Sequence, residues 1–131
     1  MHAPKRLNCT RLMANPSALD GANWPDDRLA FRTAPDELWI TPPVEDVSAI
    51  MTADPHAIVT HDTSLSGVWL SADEANRYLL HHCEWEVGKE RPLFVQGAIS
   101  GLATKLWLEE DRVLVIVPTP YAAELEERLN H

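Results

Sequence analysis

Leu65-Ser66-Gly67-Val68-Trp69-Leu70-Ser71-Ala72-Asp73-Glu74-Ala75-Asn76-Arg77-Tyr78-Leu79-Leu80-His81-His82-Cys83 is the stretch that decides the fold class. Leu65 to Leu70 is an apolar run of strand length. Ser71-Ala72-Asp73-Glu74 then has the form of a capping box. In that motif the Ser oxygen takes a free backbone N–H and the Glu side chain reaches back to the cap. Beyond it Ala75, Tyr78, Leu79, His82 and Cys83 recur at i, i+3, i+4, i+7 and i+8, the apolar face of a helix that ends before Gly88. A strand feeding directly into a capped helix places the chain among proteins that mix both elements.

On the N-terminal side, Ala57 to Thr60 reads as a strand opened by Pro55. The polar tetrad His61-Asp62-Thr63-Ser64 reads as its connection to the strand at Leu65. Val44, Val47, Ile50 and Met51 predict a short amphipathic helix reaching about Asp54. Leu29 to Arg32 and Leu38 to Thr41 flank Pro35-Asp36, a turn signal, and read as a β-hairpin closed by Pro42-Pro43. Residues 1–27 are the least regular part. A short strand with Leu7, Cys9, Arg11 and Met13 on one face is broken at Asn15-Pro16, and Ala18 to Asp27 reads as a loop or helical turn.

On the C-terminal side, Leu93 to Ile99, Thr104 to Leu108 and Val113 to Val117 read as three strands. Ser100-Gly101 turns the first pair and Glu109 to Arg112 the second. Thr119-Pro120 opens a last helix whose apolar stripe is Tyr121, Ala122, Leu125 and Leu129. The order β-β-α-β-β-α-β-β-β-α describes a single α+β domain over residues 1–131, with helices packed on an antiparallel or mixed sheet.

At 131 residues the chain has room for one ordinary domain. Its formal charge of −9 argues against a nucleic-acid or anionic-membrane partner, since both rest on clustered Lys and Arg. No apolar run approaches a membrane span, and the start carries no signal-peptide apolar region, so a cytoplasmic location is expected. The five glycines form no phosphate-cradling loop. Cys9 and Cys83 are too few for a disulfide framework and read as reduced thiols.

Candidate chemistry is sparse. His81-His82-Cys83 lacks the helical spacing that would aim all three at one metal ion. His56 and His61 point to opposite faces of a strand. The tetrad at His61 carries a base, an acid and two hydroxyls, but Asp, Thr and Ser in a tight connection ordinarily bond their own backbone. Of five tryptophans, Trp39, Trp69 and Trp107 fall on strands and read as core. Trp24 and Trp85 fall at element ends and are the interface candidates. Glu109-Glu110-Asp111 and the glutamates of the last helix read as solvated surface.

The order of motifs resembles a known family. Ala34-Pro35-Asp36-Glu37-Leu38-Trp39-Ile40 is similar to the G-P-D-E-W-L-L segment of the gamma subunit of heterotetrameric sarcosine oxidase. Asp62-Thr63-Ser64 matches three positions of that family's Asp-x-Ser-His motif, with Leu65 where His is usual. Leu70 to Ala75 stands in place of its Ser-Gly-Pro-Asp-Ala helix start, without the Gly-Pro. Leu79-Leu80-x-x-Cys83-x-Trp85-x-Val87 resembles its L-L-x-x-C-P-L-D-L, and the chain from Gly97 to Leu129 resembles its last strands and helix. The likeness covers roughly residues 28–130.

The resemblance implies a ferredoxin-like arrangement related to the folate-binding domain of the glycine-cleavage T-protein. It implies an accessory, non-catalytic role beside larger subunits that carry flavin and NAD and oxidise an amine in one-carbon metabolism. The catalytic Asp of the T-protein family has no matching residue in this chain. A second reading is a stand-alone folate-binding or aminomethyl-transferring protein. Tetrahydrofolate would then be the ligand, with Asp62 and Arg77 as candidate contacts. A third is a homo-oligomeric structural protein of the same fold.

Overall fold

The capping box at Ser71 forms in full. Ser71 Oγ accepts from the Glu74 N–H at 3.2 Å, and Glu74 Oε1 accepts from the Ser71 N–H at 2.9 Å. These bonds, with one from His2, hold the Glu74 carboxyl down at about 2. The helix they start, Ala72–His82, has Asp73 and Glu74 in its first turn, as the macrodipole favours. Ser71→Ala is expected to cost about 1 kcal/mol, read as a lowered urea midpoint with an unchanged slope.

The computed structural model describes residues 2–130. Nine strands are present among them: β1 (Lys5–Arg6), β2 (Cys9–Met13), β3 (Leu29–Ala34), β4 (Glu37–Thr41), β5 (Ile58–Asp62), β6 (Leu65–Ser71), β7 (Leu93–Ile99), β8 (Leu102–Leu108) and β9 (Arg112–Pro118). The α-helices are α1 (Pro16–Asp20), α2 (Ser48–Ala53), α3 (Ala72–His82) and α4 (Ala122–Leu129), the last preceded by a single 3-10 turn. The fold is α+β with antiparallel sheets. No helix among the described residues is long and apolar enough to cross a membrane. The chain divides into two units, one made of the chain's start as far as Arg6 and everything from Ser64 on, the other of Leu7–Thr63.

The first unit is a five-stranded sheet in the order β1-β6-β9-β8-β7. Because strand side chains alternate between faces, Val68 and Leu70 of β6, Val113 and Val115 of β9, and Leu106 and Leu108 of β8 share one face. There they pack with Ala75 and Tyr78 of α3 and Leu125 of α4. Trp69, lying between Val68 and Leu70, is on the other face. It is 37% exposed, with the Arg112 guanidinium 3.8 Å above its ring, and so is not the core residue its strand position suggests. Ser100 and Gly101 have φ of 48° and 82°, and they join Ile99 to its partner Leu102 as the expected two-residue turn. Tyr121 also departs from expectation. It belongs to the 3-10 turn, where it is 46% exposed, and the apolar stripe of α4 rests on Leu125 and Leu129.

The second unit is a four-stranded sheet in the order β3-β4-β2-β5, backed by α1 and α2. The expected irregular N-terminal segment in fact supplies β1, β2 and α1, and β2 runs between β4 and β5. Leu12 is fully buried there with Leu38, Ile40 and Ile50. The helix expected from Val44 begins only at Ser48. Val44 is held to β2 instead, donating to and accepting from the Thr10 hydroxyl. The Asp46 carboxylate then takes the Ser48 N–H at 3.1 Å and starts the shorter helix. His61 and Asp62 are not in a connection either. They extend β5, pairing with Thr10 and Cys9, and leave Thr63 and Ser64 to join the strands.

Glu37 gathers the polar groups beside this sheet. Its carboxylate accepts from Arg11 Nε at 3.0 Å, Trp39 Nε1 at 3.1 Å and the Thr33 hydroxyl. Burial raises its pKa, but these donors outweigh it and hold the carboxyl below its ordinary value.

Candidate functional site

Each residue singled out in the sequence has a definite setting. Asp62 ends β5 with Arg11 Nη1 3.8 Å away. Arg77 is on α3, in the other unit, and its side chain makes no hydrogen bond or ion pair among the described residues. Trp24 is half-buried against the core that holds Leu12. Trp85 follows α3, and its Nε1 donates to the Ala98 carbonyl at 2.8 Å. Its ring lies over Gly97, where a Cβ would stand 3.0 Å from it, so a side chain at that position of β7 would require the indole to shift by a few tenths of an ångström.

The helical face of the first unit borders a cavity of about 220 Å³. His2 comes from the chain's start. Glu74, Arg77, Tyr78, His81 and His82 come from α3, and Arg128 from α4. No spacing in the sequence joins positions 2, 74–82 and 128; the sheet order and helix packing do.

Glu74 is engaged by His2 and by the helix cap. Arg128 is held by Glu124 at 2.6 Å and donates to the Ile99 carbonyl at 3.2 Å. Ser100 Oγ donates to the His82 carbonyl, so the hydrogen between Ser100 and the His82 ring belongs to Nδ1. Burial, then Arg128 and His81, push His82 below its ordinary value, and the ring is neutral at pH 7. Tyr78 is buried with no partner for its hydroxyl among the described residues, and burial pushes its pKa up. The cavity lining carries two arginines, Arg77 and Arg128, against one glutamate, Glu74, the reverse of the balance in a chain of −9.

The second feature is an edge. β5 is the last strand of its sheet and pairs only with β2 among the described residues. Ile58 is 55% exposed, and its register partner Met13 is 39% exposed on the same face. Val59 is exposed on the opposite face. Open backbone groups beside exposed apolar side chains are what a partner strand or surface requires.

Compared with known proteins, the chain matches no family model, and no curated protein matches it.

Proposed function

We propose that the chain is a non-catalytic, gamma-type subunit of a flavin-dependent amine-oxidising complex of the sarcosine oxidase type, stabilising its larger subunits in the cytoplasm. The flavin and NAD chemistry belongs to those partners. The motif order from Ala34 to Leu129 supports this reading, and the α+β fold is compatible with it. The observation that carries it is the apolar open edge at β5, with Ile58 and Met13 side by side. The test is affinity purification of the tagged chain from its native host, read for flavin absorbance and subunit stoichiometry. Larger flavin-containing subunits are expected in fixed ratio, and Ile58→Asp, which puts a charge at that edge, is expected to lower their recovery at least tenfold. Recovery of the wild-type chain alone overturns the proposal.

One observation favours the stand-alone folate-binding reading: the unengaged Arg77 at a positively charged cavity suits an anionic glutamate tail. Stoichiometric binding of tetrahydrofolate by the isolated chain would establish that reading, and no saturation at high concentration would end it.

A further inference from the structure

We propose that the cavity between α3 and α4 is a binding site for a small organic monocarboxylate, whose carboxylate pairs with Arg77 and whose apolar body rests on Leu70, Tyr78 and Leu129. The inference does not depend on the subunit reading.

Charge selects the sign. Acids outnumber bases by 20 to 11 in the whole chain, yet this lining has the opposite balance. Glu74 is occupied by His2 and the helix cap, and Arg128 by Glu124, so Arg77 is the cation left without an acid. A planar guanidinium matches a carboxylate through two parallel N–H donors. Charge also sets the valence. Arg77 is the one arginine of the lining without an acid among the described residues, so one negative charge balances it where a phosphate dianion would leave an excess. Size sets the rest. A volume of about 220 Å³ lies below the roughly 300–1,000 Å³ of pockets for drug-sized ligands, so the occupant is smaller than those. Leu70 and the Tyr78 ring supply buried apolar surface, and Leu129 adds a half-buried methyl edge.

The test is a titration of the full chain with isobutyrate, its uncharged isostere isobutyramide, and inorganic phosphate, followed by amide chemical shifts. Isobutyrate is expected to give saturable shifts confined to residues 74–82 and 128–129. Isobutyramide is expected to bind at least tenfold more weakly, and phosphate no more tightly than isobutyrate. Arg77→Gln, at an exposed position that leaves the core intact, is expected to raise the isobutyrate Kd at least tenfold. The proposal is overturned by equal binding of the amide, by tighter binding of phosphate, by unchanged affinity in R77Q, or by shifts centred elsewhere. The amide comparison uses the unaltered protein, so it stands whether or not the variant folds.

Discussion

Leu12→Ala is expected to destabilise the protein by about 2–5 kcal/mol, the range for deleting a fully buried leucine side chain. Leu12 has no exposed surface and packs with Leu38, Ile40 and Ile50. Its strand pairs on both sides, Leu12 lying opposite Leu38 of β4 and Val59 of β5, so a cavity there loosens three strands together. Hydrogen exchange provides the check: amide protection in β2, β4 and β5 should fall by the full amount. A loss below about 0.5 kcal/mol, typical of surface sites, would mean that this segment is not the centre of its sheet.

Glu37→Ala is expected to cost about 1–3 kcal/mol, because it leaves Trp39 Nε1, the Thr33 hydroxyl and Arg11 without their shared acceptor. The effect depends on pH in a definite direction. The folded carboxyl titrates below its ordinary value of 4.5, so its stabilisation is complete above that value and is lost as pH falls through the folded one. Denaturant melts at a series of pH values should therefore show a constant gap between wild type and variant near neutrality. Below about pH 4.5 the gap should narrow. A gap that widens on acidification would contradict this account of Glu37.

Local chemistry was legible in the sequence where it is self-contained. The capping box at Ser71 and Glu74, the Ser100-Gly101 turn and the run Val113 to Val117 each carry their own instruction, and each stands as read. The strand Cys9–Met13 does not. Cys-Thr-Arg-Leu-Met lacks clean alternation, because Cys9, Thr10 and Leu12 are all buried, and its partners lie about 25 and 50 residues downstream. Trp69 shows a related limit, since period 2 gives two faces without saying which one the helices cover. The cavity was hidden for the same reason. Arg77 was visible only as a candidate folate contact, and its setting needs His2 and Arg128 from opposite ends of the chain.

The strand order of the first unit also bears on how the chain folds. Lys5 pairs with Gly67, so joining them closes a loop of some 60 residues, an entropic cost of roughly 3–4 kcal/mol if that loop is flexible. The loop is not flexible once Leu7–Thr63 has folded, because Cys9 pairs with Asp62 and the two exits of that unit leave as neighbouring strands. With Cys9 held to Asp62, the span left to close between Lys5 and Gly67 shrinks from about 60 residues to the few on either side of that pair. Hairpins β7 to β9 close between near neighbours in sequence, so local contacts favour their early formation, whereas the β1 pairing gains most from that shortening.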